Sequence, residues 1–272
     1  MTRKHDAVRS RNEAFVDRVT TRIWEEEPSS DNCYLAESLR CHGYNLIELA
    51  NKRSFTDVLY LLFRGELPSK EQSQILQTLM IGLITPGPRH PATRAAMNTG
   101  IGKTDPLHIL PISLMSLGGT VSDAGVIEDA IRFFRKHRRS DPITVAGELL
   151  AETTRPEQED WIVAPGFGSH NGSIDPYCRD LADSLTALPG AGQALHWGAE
   201  LAIALSEEDL GWLRAGLAAA VFSDLGFHPR TGGGLYQLLN APGLLAQGIE
   251  MSNKPITAMP FIKDENYIIE TD

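Results

Sequence analysis

Little in this 272-residue chain points to a membrane, a nucleic acid or a metal. It has only three cysteines, Cys33, Cys41 and Cys178. They are odd in number and widely spaced, so they read as reduced thiols of a cytoplasmic protein, forming neither a disulfide framework nor a metal site. No apolar run reaches the ~18 residues needed to cross a bilayer. The start of the chain, Met1 to Asp6, leads into no apolar stretch, which argues against a secretory signal. Basic residues are outnumbered, 25 against 35 acidic ones, and the formal charge of -10 argues against nonspecific nucleic-acid binding. Histidines show no metal-ligand spacing. The run Gly232-Gly233-Gly234 lacks the Lys-Ser/Thr of a phosphate loop and follows no expected strand.

What is present is an ordinary globular composition, 42% hydrophobic, with helical periodicity almost throughout. From Asn12 to Glu27 the residues Phe15, Val16, Val19, Ile23 and Trp24 fall on one face, predicting an N-terminal helix stopped by Pro28. Further helices are expected over 54–64 with Gly65 as C-cap, from Ser69 to about Leu83 with Ser69 and Gln72 as a capping box, and over 92–98. They continue over 108–117, from Ser122-Asp123 to the basic run Arg135–Arg139, and over 142–153. The Gly/Pro/Asn/Ser-rich stretch 164–176 cannot be helical. Helices follow over 175–188, with Asp175 as N-cap, then 193–205, 207–225 and 234–251. Strand alternation is confined to the tail 267–269, so the expected class is mainly α.

Several stretches, in order over about residues 40–265, resemble one family. Cys41-His42-Gly43-Tyr44-Asn45-Leu46 resembles an RGYDL entry motif, and Phe55 to Ser69 (FTDVLYLLFRGELPS) a SFxEVLYLLLRGELPS helix-turn-helix. Leu117-Gly118-Gly119-Thr120 sits where that family has HGGA or FGGA, and Pro165-Gly166-Phe167-Gly168 with Asp175-Pro176 resembles PGFGHxV…DPR. Gly216-Leu217-Ala218-Ala219 with Asp224-Leu225-Gly226-Phe227 is similar to the segment after an NVD motif. The family is citrate synthase with its shorter relative citryl-CoA lyase. The resemblance implies a citrate synthase-like helical fold forming a single unit over 1–272, with a large helical domain and a smaller lobe at about 120–210 that carries the PGFG loop. It also implies dimers.

The chemistry the resemblance implies needs a carboxylate to move a proton on an acyl-CoA, a donor for the enolate oxygen, a group to polarise a ketone, and arginines for substrate carboxylates. Position by position these are replaced. The HGGA histidine corresponds to Leu117, the DHG histidine to Pro86, the GFGH histidine to Ser169 and the NVD aspartate to Ala215. The histidine of AHxLE becomes Gln247, and a late arginine becomes Ala258. Glycines, prolines and apolar residues survive, so citrate synthesis or cleavage at a useful rate is not expected.

His170, one residue beyond Ser169, is the candidate for a restored catalytic group, and Ser169 for an oxyanion donor; an exposed loop histidine and a turn serine are the plainer readings of each. Arg214, beside the vacated aspartate position, is the candidate to bind an acidic substrate or to face another subunit. Gln247, His42 and Asn171 complete the substrate-binding candidates. Gly166, Phe167, Gly168 and Arg135 are the candidates for contacting coenzyme A, although a basic run at a helix C-terminus also simply suits the helix dipole. No metal and no tightly bound cofactor are expected, a coenzyme A thioester entering as substrate. The leading function is a repurposed carbon–carbon lyase or Claisen/aldol-type enzyme with a small-molecule substrate, working as a homodimer. The alternatives are a non-catalytic subunit paired with an active citrate synthase-like paralogue, and a ligand-binding protein with no reaction.

Overall fold

In the computed structural model, residues 12, 14–15, 17–119, 123–157, 160–170, 172–260 and 262–270 are described. The chain forms two compact units, residues 1–67 and 68–272.

The first unit begins with an antiparallel meander, β1 (Trp24–Pro28), β2 (Ala36–Cys41) and β3 (Tyr44–Asn45), in the order β1-β2-β3. Two helices follow, α1 (Leu46–Lys52) and α2 (Phe55–Arg64). Cys41 pairs with Tyr44, so His42 (φ 48) and Gly43 (φ 85) form a two-residue turn with both centres left-handed, the geometry that matches strand twist. Cys41, Leu49 and Leu61 make the core of this unit, with Leu46, Val58, Leu62 and Leu67 packed against it.

This meander corrects the expected N-terminal helix. Among the described residues of 12–27 none is helical, and residues 24–28 are a strand. The apolar stripe was real but has nothing to cover it: Phe15 is 98% exposed and Val19 97% exposed. An amphipathic pattern makes a stable helix only when its apolar face is packed.

The second unit is helical. In chain order it contains α3 (Lys70–Gly82), α4 (Pro91–Ile101), α5 (Ile109–Ser116), α6 (Ile127–His137) and α7 (Pro142–Glu152). Next come β4 (Trp161–Ala164), β5 (Phe167–Ser169), α8 (Pro176–Thr186), α9 (Gln193–Leu205), β6 (Gly211–Trp212), α10 (Arg214–Asp224) and α11 (Gly232–Ser252). Every residue of α10 from Ala215 to Ser223 is buried. A helix this apolar and small-residued on all sides belongs at the centre, and α3, α6, α8, α9 and α11 pack round it. Eleven α-helices against six short strands make the described fold mainly α.

Local chemistry sets the helix ends as expected. Gly65 closes α2 in the left-handed conformation (φ 77). Ser69 accepts the Gln72 N–H while Gln72 returns to the Ser69 N–H, the reciprocal capping box. Ser69→Ala should therefore lower the urea-measured stability by about 1 kcal/mol; an unchanged midpoint would mean that packing alone starts α3.

The stretch 164–176 is a β-hairpin turn and its exit, not an open loop. β4 and β5 pair antiparallel, and β6 adds beyond β5 through Phe167↔Trp212 and Gly168↔Gly211. The expected helix 207–225 accordingly starts only at Arg214, because Asp209 turns left-handed (φ 60) and residues 211–212 join the hairpin. The tail 267–269 forms no strand. Phe133, Phe134, Phe167, Trp197 and Trp212 interlock their rings at centroid separations of 4.6–6.3 Å, locking the hairpin onto α6 and α9.

Candidate functional site

The hairpin and the start of α10 meet through glycine. Gly166 (φ 93) accepts the Leu213 N–H at 3.0 Å, and a Cβ on either Gly166 or Gly216 would overlap the backbone of the other. This contact places Arg214 at the first position of α10. Leu213 before it supplies no capping side chain, and no acidic residue occupies the first turn. A cation at the positive end of an uncapped helix is the reverse of what the macrodipole favours.

Arg214 is half-buried and held in one orientation. Its Nη1 donates to the Thr85 carbonyl at 2.9 Å, and its guanidinium carbon lies 5.3 Å from the centroid of the Tyr177 ring. Tyr177 in turn donates its hydroxyl to the Gly82 carbonyl at 2.7 Å. Among the described residues no carboxylate stands within ion-pair distance of Arg214.

The loop over this arginine is fixed by α11. Gln247 Nε2 donates to Thr85 Oγ1 at 2.7 Å, and Gly243 N–H donates to the Ile84 carbonyl at 3.0 Å. Pro242, inside α11, has no N–H to give, and its ring crowds the carbonyl four residues back. Arg214 and Gln247, singled out separately in the sequence, thus converge on one residue, Thr85.

The same face of α11 carries Tyr236 and Asn240. Both are buried, and Asn240 Oδ1 has no hydrogen-bond partner. Burial first, and then the Asp123 carboxylate, push the Tyr236 phenol up from its ordinary pKa, while Arg214 pulls it down; it remains a protonated donor at neutral pH. Cys178, in the first turn of α8, donates its thiol to Asp175 Oδ2 at 3.2 Å. Burial and Asp175 hold that thiol protonated, so it is no nucleophile.

Two further residues belong to this neighbourhood and carry no sequence motif. His90 caps α4, its Nδ1 accepting the Ala92 N–H at 3.1 Å, and its Nε2 meets Asp123 Oδ1 at 3.2 Å. Their side chains are 20% and 15% exposed.

The remaining candidates are placed elsewhere. Phe167, Gly168 and Ser169 are buried within β5. His170 sits half-exposed at the strand's far end, its Nδ1 2.8 Å from Asp160 Oδ2. Four residues at ~3.3 Å each put it about 13 Å along the strand from the Gly166 end, where Arg214 lies, so the register does not bring the two together. Arg135 Nη2 donates to the Phe227 carbonyl at 2.8 Å. His42, in the first unit, lies 3.3 Å through Nε2 from the Leu62 carbonyl. Asn171 lies outside the described residues.

Beside the hairpin, a cleft of about 240 Å³ opens between α6, α7 and β4, lined among others by Lys136, His137, Glu148, Val163, Ala164 and Pro165. Burial and then Lys136 lower the His137 pKa, against a smaller opposite pull from Glu148, which keeps the ring neutral at neutral pH. Among the described residues no three His, Cys, Asp or Glu side chains gather as metal ligands, and no helix is long and apolar enough to cross a membrane. Cys33, Cys41 and Cys178 are free thiols.

Comparison with solved structures places this architecture. Citryl-CoA lyase from Hydrogenobacter thermophilus superposes with a TM-score of 0.75 at 23% identity, over 93% of this chain and 94% of that one. ATP citrate lyase from Methanothrix soehngenii, solved with citrate and coenzyme A, gives 0.66 at 17% identity, over 97% of this chain and 48% of that one. Citrate synthase from Thermoplasma acidophilum gives 0.58 at 18% identity, over 80% and 58%. At these identities the likeness establishes the fold. No curated protein matches by sequence. The family profile described as "Citrate synthase, C-terminal domain" matches residues 21–158, half of the chain. With the profile and the fold in agreement, the chain belongs to the citrate synthase family.

Proposed function

We propose that this protein makes or breaks a carbon–carbon bond, by a lyase or Claisen/aldol-type reaction, in an acyl-CoA or related acyl substrate that carries an acidic group, and that citrate is not that substrate. The observation that carries the reading is Arg214: a half-buried guanidinium at the uncapped N-terminus of α10, with no carboxylate within ion-pair distance among the described residues. Guanidinium and helix end together form an anion site. A single such arginine suits one carboxylate, with neutral groups such as Gln247 and Asn240 around it; citrate presents three. The cleft beside Ala164-Pro165, lined by Lys136 together with Glu148 and Glu152, offers one lysine to a coenzyme A thioester as substrate. Exposed Leu107, Met115 and Leu238 support pairing with a second copy of the chain.

The test is calorimetric titration with coenzyme A, a set of acyl-CoA thioesters with and without a free carboxylate, and citrate. An acyl-CoA with one carboxylate should bind more tightly than citrate. Arg214→Gln should weaken it by about tenfold to a hundredfold, the usual worth of a charged hydrogen bond of 1.5–3 kcal/mol. Full affinity in the variant, or tighter binding of citrate, would sink the reading.

A further inference from the structure

We propose that Asp123, held by His90, is the carboxylate that accepts the substrate proton in this protein, at a place in the fold different from residue 215. The inference rests on the acyl-substrate reading above and adds to it the identity of the base.

The argument begins with what the two side chains are not doing. Asp123 stands at the N-cap position of the short 3₁₀ turn Ala124–Val126, where an aspartate ordinarily caps, yet its side chain makes no capping bond. The carboxylate is turned instead toward His90. His90 is fixed at both nitrogens. Nδ1 accepts from Ala92 N–H, so the ring proton is on Nε2, and Nε2 donates to Asp123 Oδ1. The histidine therefore has no lone pair left for a substrate, and it serves as a positioning residue. The free basic atom of the pair is Asp123 Oδ2, which has no hydrogen-bond partner among the described residues.

Gly119 borders that atom: a Cβ there would stand in ordinary contact, 3.4 Å from Oδ2. With 15% of its side chain exposed, Asp123 is neither sealed nor fully solvated, so a small substrate can reach it. Helix α11, which carries the buried Tyr236, packs against both the 3₁₀ turn Ala124–Val126 that Asp123 precedes and the helix α10 that Arg214 begins, so base and anion site lie along one helix. Ala215, in contrast, has no proton-accepting atom in its side chain and is fully buried.

The step balances without an outside reagent. In the condensing direction, the Cα–H bond of the acyl group breaks, its proton forms an O–H bond on Asp123 Oδ2, and the electron pair moves onto the thioester carbonyl as an enolate. In the cleaving direction, Asp123 removes the proton of a β-hydroxyl. The oxygen's electron pair closes a C=O bond, the Cα–Cβ bond breaks toward the thioester, and the protonated Asp123 then returns its proton to Cα.

Proton exchange at Cα isolates this role from the full reaction. The protein is incubated in D₂O with acetyl-CoA and with succinyl-CoA, whose acyl group carries one carboxylate; deuterium at Cα is followed by mass spectrometry, and binding is measured separately by calorimetry. The native protein should exchange at least one of them. Asp123→Asn should slow exchange by about 10²-fold or more at a Kd within threefold of the native value. His90→Asn keeps an N-cap side chain but is too short to reach Asp123, so it should lose exchange while staying folded. His90→Gln, long enough to donate to Asp123, should recover part of it. A merely structural histidine would give the opposite order, with the cap-preserving Asn variant silent. Should Asp123→Asn fail to fold, His90→Asn carries the test on the same readout. Native-rate exchange in either Asn variant overturns the assignment. Binding without exchange in the native protein overturns the assignment of a base while leaving the acyl-CoA reading standing. Failure of both thioesters to bind overturns both.

Discussion

Gly100→Ala should destabilise the protein by about 3 kcal/mol, even though alanine is the better helix former by about 1 kcal/mol. Gly100 lies in α4 where it crosses α11. A methyl group there would overlap the Gly248 carbonyl oxygen and stand 3.2 Å from the Ser252 nitrogen. These are backbone atoms of another helix and cannot rotate away. The crossing is reciprocal, since a methyl on Gly248 would overlap the Ile109 side chain and reach to 3.0 Å from the Ala96 carbonyl oxygen. Close packing transmits such a collision to both helices. Gly147, exposed in the middle of α7 with nothing within 4 Å of a Cβ, is the control. There the propensity term acts alone, and Gly147→Ala should stabilise by about 0.5–1 kcal/mol. Urea midpoints of the two variants should thus move in opposite directions. A native midpoint for Gly100→Ala would show that the α4–α11 crossing can open at little cost.

Asp224→Ala should cost about as much, about 3 kcal/mol, by a different route. The Asp224 carboxylate, at the end of α10, accepts the N–H groups of Ala194 at 2.8 Å and Leu195 at 2.9 Å. It thereby caps α9 from outside, since the N-cap residue is Gly192, with no side chain to do so. Gly192 is required for that approach, as a Cβ there would overlap the carboxylate. Alanine at 224 would strand two donors in a mostly buried place, at about 1–3 kcal/mol each before relaxation. Asp224→Asn keeps an acceptor and should lose less. Burial raises the Asp224 pKa above its unfolded value, outweighing the N–H bonds and Arg138 that lower it. The folded state then holds the proton more tightly. The stability from this group is fully present below its unfolded pKa of about 3.8 and falls as pH rises through the folded pKa. Asp224→Asn should flatten the pH dependence in that window. An unaltered pH profile, or alanine and asparagine variants equal to the native protein, would remove Asp224 as the cap of α9.

Much of the fold was legible because it rests on local chemistry. The capping pair Ser69 and Gln72, the left-handed Gly65 and the N-cap Asp175 each need only their nearest neighbours in sequence, and each stands where the pattern put it. The strands were not legible. β1 is mostly glutamate and exposed at each of its residues, and β4–β5 has a register shift between Ile162 and Ala164 that breaks any alternation. The N-terminal stripe misled because periodicity reports a face and not its partner. At the site, Gln247 stands out by the histidine it replaces and Arg214 by its place beside the vacated aspartate position, and the structure joins both to Thr85. His90 and Asp123 were passed over, since 33 residues separate them and each reads locally as the start of a helix. Only the chain's return brings them together.

One last consequence concerns Pro242 and Gly243. In the sequence the pair looks like a flaw in the 21-residue α11. In the fold it is a seat: a side chain on Gly243 would fall on the Ile84 carbonyl and on Thr85, the residue that Arg214 and Gln247 both grasp. Selection for a more regular helix and selection for this close approach of helix to loop therefore pull on the same two residues in opposite directions. A search for stabilising substitutions guided by helix propensity would choose them early, and would trade the seat of Thr85 for rungs of helix.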